Sequence, residues 1–321
     1  MKIKIRHIWM ARMGIFKKKS EKDSGKKGED KSRKLPSTIF LNPSLKVLEG
    51  FKDDLKLNEP VIRLTKYLRG KYGLHKGDHV TLKKDNQIIK ARVDVSSSTD
   101  GEDPICRLNR KARELLNVKL GGEIEIIPPE TLILLIDTSG SMADFLSGMV
   151  KMDAAKDAIR EFIRSKFLMN QGDKIGIVSF GEISTVLEKP STDYEYLENR
   201  ANALTPNGAT AMYEGMGLSI DLLSPLAGAK RIIMLTDGVP TTTGRFAIIN
   251  LAKKAASKHI VIDTVGVGSP FDIMGYDEVL LRRIAAITGG TFRRVIDVQQ
   301  LSGQFVELAA GKNYSYLLPE K

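Results

Sequence analysis

Thr131-Leu132-Ile133-Leu134-Leu135-Ile136-Asp137-Thr138-Ser139-Gly140-Ser141 couples a continuous apolar run to a carboxylate and two well-spaced hydroxyls, those of Ser139 and Ser141. The run has the length and composition of one strand buried on both faces, and open parallel sheets place their ligand sites at the carboxyl ends of such strands. Arg231-Ile232-Ile233-Met234-Leu235-Thr236-Asp237-Gly238 repeats the arrangement, a second buried-strand pattern ending in an aspartate and a turn glycine. Between the two lies Asn207-Gly208-Ala209-Thr210, a turn that carries a further hydroxyl.

Asp137, Ser139, Ser141, Thr210 and Asp237 together resemble the signature of the von Willebrand factor type A domain, Asp-x-Ser-x-Ser followed by a distant Thr and a distant Asp. All five positions match, and the likeness runs from about Glu130 to Leu308. The resemblance implies a doubly wound, mostly parallel α/β sheet with a metal-ion-dependent adhesion site at its carboxyl edge. In such a site Ser139 and Ser141 ligate directly, Thr210 binds directly or through water, and Asp137 and Asp237 act through bound waters or as outer acceptors. The implied ion is Mg²⁺, with Mn²⁺ or Ca²⁺ as alternatives, and the implied partner is a protein that presents a carboxylate to it.

The donor chemistry is consistent with a hard cation. Mg²⁺ takes six oxygens at about 2.0 to 2.1 Å and dehydrates reluctantly, which suits hydroxyls, waters and few carboxylates. Ser139 and Ser141 are two positions apart, so both hydroxyls can face one point while Thr138 faces away. Cys106 is the only cysteine, and His7, His75, His79 and His259 form no cluster of zinc-site spacing. The alternative reading of the same residues is purely local: Ser and Asp also cap helices and shape turns. Catalysis is not expected, because no Gly-rich phosphate loop, Ser-His-Asp order or metal-ligating His pair accompanies the motif.

After Ser141 the pattern alternates helix and strand, as a doubly wound sheet requires. Helices are predicted over 153–167, 194–204, 212–223, 246–257, 277–288 and 299–309. Strands are predicted over 174–180, 185–187, 259–267 and 291–296, which with the two quoted runs makes six. Met212, Gly215, Met216 and Ser219 are expected to face the sheet. Asp263 is acidic and lies in a strand; its position favours a structural role over metal ligation.

A chain of 321 residues is long enough for two domains and a tail. Residues 1–35 read as a basic tail, 36–129 as a small β-barrel and 130–321 as the α/β domain. Residues 1–34 hold thirteen Lys/Arg against four Asp/Glu, which is nine of the eleven net positive charges, so the remainder is close to neutral. Lys17 to Lys34 lacks an apolar period and reads as a linker. Ile5, Ile8, Trp9, Met13 and Phe16 recur at helical spacing opposite Lys4, Arg6 and Arg12, a pattern that suits an anionic membrane surface or a partner groove, or belongs to an unstructured extension.

Residues 36–129 contain a repeat. Val61-Ile62-Arg63-Leu64 and Ile105-Cys106-Arg107-Leu108 lie 44 residues apart, and at the same offset Arg69 matches Arg113, Leu74 matches Val118, Gly77 matches Gly121, Val80 matches Ile124 and Leu82 matches Ile126. A unit this short cannot bury its apolar face alone, so two copies should interlock into one barrel. The pattern resembles the double-psi β-barrel of the amino-terminal module of some AAA ATPases, or the swapped-hairpin barrel of small transcription regulators. Those likenesses imply protein binding or DNA binding, with Arg63, Arg69, Arg107 and Arg113 forming basic patches or merely solvated faces.

The expected whole is a metal-dependent protein-binding adaptor, with a nucleic-acid-associated regulator acting through the barrel and tail as the alternative. A lone cysteine suits a reducing compartment and no secretion segment is visible, so a cytoplasmic location is expected. Intracellular relatives of the type A domain imply an AAA-type ATPase as one partner.

Overall fold

The computed structural model describes residues 44–169, 172–268 and 275–310. The expected amphipathic helix of residues 1–16 and the linker that follows lie outside the described residues.

Six strands close into the expected barrel. They are β1 (Ser44–Glu49), β2 (Val61–Leu64), β3 (His79–Lys84), β4 (Gln87–Val95), β5 (Ile105–Leu108) and β6 (Glu123–Ile127), with helices α1 (Lys66–Tyr72) and α2 (Arg110–Leu115) at its ends. Their order around the barrel is β1-β5-β2-β4-β3-β6. The internal repeat is longer than its sequence signal, because β1 and β4 prefix the two copies. Each of them pairs in parallel with a strand of the other copy, β1 with β5 and β4 with β2. Neither half can complete its ladder alone, which is why the chain repeats the unit. Matching caps begin the helices: the Thr65 hydroxyl accepts from Leu68 N, and Asn109 Oδ1 accepts from Ala112 N. Leu45, Val47, Leu64, Leu82, Leu108 and Ile126 fill the interior.

Two of the four equivalent arginines differ from the basic patches considered above. Arg63 binds Asp54 with two hydrogen bonds of 2.8 and 2.7 Å and donates to Val95 O. Arg107 does the same with Asp100, at 2.8 and 2.6 Å, and donates to Glu49 O. Both guanidinium groups lie over the Phe51 ring, 4.8 and 5.3 Å from its centroid. Planar, bidentate pairing on a carboxylate is what a guanidinium does well, and here it fastens the loops that close the barrel. The Arg107 contact holds the Asp100 carboxyl down at about 2.

The second half is a six-stranded sheet in the order β11-β10-β7-β12-β13-β14, formed by β7 (Glu130–Asp137), β10 (Lys174–Phe180), β11 (Thr185–Ser191), β12 (Ala229–Thr236), β13 (Ile260–Val267) and β14 (Phe292–Val295). Only β11 runs antiparallel, at one edge. A two-stranded hairpin, β8 (Phe145–Leu146) and β9 (Met149–Val150), leads into α3 (Lys151–Met169). The other helices are α4 (Tyr194–Ala201), α5 (Met212–Leu223), α6 (Arg245–Ser257), α7 (Glu278–Thr288) and α8 (Leu301–Ala310). One apolar layer packs α3, α4 and α8 on one face of the sheet; the other packs α5, α6 and α7 on the opposite face. The fold is therefore the doubly wound α/β class. Met212, Gly215, Met216 and Ser219 are all buried, and Gly215 lies against Phe180 and Leu135.

Barrel and sheet domain pack as one compact unit. Gly73, at φ +65°, closes α1 in the left-handed region, and a Cβ there would meet Ala227 O at 2.8 Å. Gly228, at φ +85°, precedes the buried part of β12, and a Cβ on it would meet Tyr72 O at 2.7 Å. The two backbones touch where only glycine fits. This contact is at the amino-terminal end of the sheet, and so is a buried ionic cluster. There Lys166 Nζ lies 2.6 Å from Glu130 Oε1 and 2.7 Å from Asp173 Oδ2, and Arg231 Nε lies 2.7 Å from Asp263 Oδ2. Asp263 also accepts from Thr291 N, so its carboxylate is structural, as its strand position suggested. Among the described residues no helix is long and apolar enough to cross a membrane.

Candidate functional site

β7 and β12 are neighbours in the middle of the sheet, and their register pairs Leu235 with Ile136. Asp137 and Asp237 consequently emerge side by side at the carboxyl edge. Adjacent parallel strands whose connections leave in different directions open a crevice there. Three loops fill its walls: the turn after Asp137, the Gly181–Ser184 segment after β10, and the Asn207–Thr210 turn before α5.

Backbone hydrogen bonds tie these loops together. Thr138 N donates to Phe180 O, Asn207 N to Thr138 O, Gly140 N to Gly208 O and Ala211 N to Gly181 O. Gly181 is a point of close backbone approach, since a Cβ there would meet Asn207 O at 2.7 Å and Thr138 Oγ1 at 2.8 Å.

All five residues picked out from the sequence converge on this crevice. Asp137, Ser139, Thr210 and Asp237 are buried. Ser139 Oγ and Ser141 Oγ are 3.2 Å apart, and the Ser141 hydroxyl donates to Asp237 Oδ1 at 2.8 Å. A Cβ added to Gly238 would lie 3.4 Å from Thr210 Oγ1 and 3.9 Å from Ser141 Oγ, so these two hydroxyls face the same small space. Asp137 Oδ1 accepts from Ser139 N at 2.8 Å. Adjacent ligands of an octahedral Mg²⁺ are separated by about 2.9 Å. The observed spacings of 2.8 and 3.2 Å match that edge length, and the donor set is hard oxygen throughout.

The site concentrates negative charge in a place that water does not reach well. Burial, and then the charge of Asp237, push the Asp137 carboxyl up to about 7. Among the described residues no three His, Cys, Asp or Glu side chains gather as metal ligands, so a cation in this crevice would rest mainly on hydroxyl oxygens.

Two participants were not visible in the sequence. The Thr236 hydroxyl donates to Asp137 Oδ2, and it also accepts from Gly238 N. Its only sequence signal is that it is the polar residue at the end of an apolar run. Lys151 Nζ lies 2.8 Å from Asp237 Oδ2, and a lone lysine ahead of a helix carries no such message.

Comparison with known proteins bears on the α/β half of the chain. Residues 132–239 match the family model described as von Willebrand factor type A domain. A UPF0353 protein of Mycolicibacterium paratuberculosis is 23% identical over 199 residues, covering 55% of this chain and 58% of that protein. The Bacillus subtilis protein YwmC is 27% identical over 188 residues, 53% of this chain and 78% of YwmC. The chain thus spans little more than half the length of the mycobacterial relative. Among solved structures, a von Willebrand factor type A protein from Catenulispora acidiphila superimposes with a TM-score of 0.49 at 23% identity, covering 58% of this chain and 43% of that one. A domain of this kind points to a role in protein interaction or adhesion. Within the α/β half of this chain, residues 132–239 are those that match the von Willebrand factor type A domain, and they include Asp137, Ser139, Ser141, Thr210 and Asp237.

Proposed function

We propose that this protein is a metal-dependent protein-binding adaptor: the crevice holds a divalent cation, Mg²⁺ in the first instance, and the loaded site captures a carboxylate of a partner protein. Ser139, Ser141 and Thr210 would supply neutral oxygens, while Asp137 and Asp237 supply the charge. The observation that carries the reading is the convergence of these oxygens at octahedral spacing around two buried carboxylates. When bound, a dication held mainly by neutral hydroxyls offers an electrophilic open position to an incoming carboxylate.

The rim supports a protein as the partner. Phe145, 75% exposed, follows the Ser141 turn; Ile183, 77% exposed, stands on the loop after β10; and Val239, 44% exposed, follows Gly238. Ile183 lies on a loop that builds the crevice, Val239 is two residues beyond Asp237, and Phe145 begins β8 just after the Ser141 turn. Large apolar side chains ringing a polar centre are the composition of a docking surface, with the metal contact giving direction and the rim giving area. Beside them an open depression is lined by Glu182, Ala211, Glu214, Leu218 and Thr242.

The test is direct. Partners captured on immobilised wild-type protein in Mg²⁺ should be released by EDTA, and Ser139→Ala should capture none while unfolding at a wild-type temperature. Capture that is indifferent to EDTA and to Ser139→Ala would reject the reading.

A further inference from the structure

Lys151 is the first residue of α3, and its side chain is only 13% exposed. The hairpin of β8 and β9 returns the chain so that Lys151 N donates to Asp144 O, which sets the side chain against the crevice. Its ammonium is 2.8 Å from Asp237 Oδ2 and 3.5 Å from Ser141 O; the Asp144 carboxylate is farther, at 4.0 Å. The two oxygens of Asp237 are thereby divided. Oδ1 turns to the Ser141 hydroxyl inside the crevice, and Oδ2 is held from behind by Lys151.

A cation in the first turn of a helix works against the helix dipole, so α3 gains nothing from a lysine at this position. The gain is to the crevice. Asp137 and Asp237 are two buried carboxylates at one strand edge, and Lys151 supplies a positive charge to the second of them. With it, the site keeps its shape while empty, and a dication meets a smaller net negative charge than the donor set alone would present.

We propose that Lys151 is a built-in counter-cation that lowers the affinity of the crevice for divalent ions and keeps Asp237 oriented when no ion is bound. This rests on the reading of the crevice as a cation site. Lys151 acts through Asp237 as a positioning residue. The consequence is a site that exchanges its ion instead of retaining it, and whose capture of a partner follows the free concentration of the ion.

Mn²⁺ binding to the full chain, followed by the electron paramagnetic resonance signal of the free ion, tests the assignment. Lys151→Met, which keeps the length and removes the charge, should bind Mn²⁺ at least tenfold more tightly than wild type. Lys151→Arg should stay within about threefold of wild type. In EDTA, Lys151→Met should melt below wild type, and saturating Mn²⁺ should close the gap. A lysine that merely packs would leave the affinity unchanged or weaken it, so an affinity for Lys151→Met equal to or below wild type overturns the proposal. If wild type binds Mn²⁺ and Lys151→Met gains nothing, only the counter-cation falls. If neither protein binds Mn²⁺, the cation site falls with it.

Discussion

The hydroxyl of Thr236 donates to Asp137 Oδ2, joining the ends of two neighbouring strands across 99 residues of chain. With Ser139 N on the other oxygen, both oxygens of this buried carboxylate are engaged, and yet burial and Asp237 still raise it to about 7. Two hydrogen bonds do not replace a cation.

Asp137→Asn should separate folding from ion binding. A carboxyl whose folded value lies above its ordinary value of 3.8 contributes stability that is intact at low pH and is lost as the pH rises through about 7. In EDTA the wild-type protein should therefore lose stability between about pH 4 and 7, by on the order of 4 kcal/mol at most. The amide variant carries no such term, since Thr236 can turn its hydroxyl toward Gly238 O. It should melt above wild type at about pH 8 and near it at about pH 5, and should bind no Mn²⁺ at either. Calorimetric melts across this range check the sign; a variant that melts lower at every pH would contradict it.

Gly181→Ala should weaken ion binding without touching a donor oxygen. The new methyl would press on Asn207 O and Thr138 Oγ1, and the Asn207–Thr210 turn must yield. Overpacking of this kind costs about 1 to 3 kcal/mol, and the displaced Thr210 hydroxyl should reduce Mn²⁺ affinity about tenfold or more. Titration of Mn²⁺ into the folded variant gives the answer.

Lys166→Met tests the ionic cluster at the other end of the sheet. Burial alone would lower the Lys166 ammonium, but Asp173 and Glu130 outweigh it and the group is raised. Removing the cation strands the buried Asp173 carboxylate and leaves Glu130 only Arg231, 3.7 Å away, which should cost about 3 to 5 kcal/mol in chemical denaturation. Mn²⁺ affinity should remain within about twofold, because the cluster and the crevice occupy opposite ends of the strands.

Cys106 should be inert in the folded protein. It lies in the barrel core, and burial pushes its thiol up to about 12. Iodoacetamide at about pH 8 should label it only after denaturant is added, since the thiolate is the reactive form. Rapid labelling of the native protein would mean that the barrel opens.

The sheet domain was legible because its signals are local. Leu132 to Ile136 and Ile232 to Leu235 are apolar runs that only a doubly covered sheet can bury, and the five site residues sit at their ends or on glycine turns. Helix α5 falls over the same residues, Met212 to Leu223, that its periodicity predicts. Residues acting across the fold were not legible. Thr236 and Lys151 matter because of what lies opposite them, and no spacing encodes that. In the barrel the repeat was visible, but β1 and β4 were not, since their partners are strands of the other copy. The same holds for Arg63 and Arg107: their positive charge was plain, while the aspartates that neutralise it become neighbours only once the loops close.

Strand β7 leaves the barrel's last strand after just Pro128 and Pro129 and ends at Asp137, in the crevice. A pull exerted between a captured partner and the barrel would travel along this one strand. β7 is hydrogen-bonded in parallel along both edges, to β10 and β12, so tension along its axis strains many bonds at once and cannot peel them one by one. With Gly73 and Gly228 in backbone contact at the base, tension between the crevice and the barrel would load these ladders in shear.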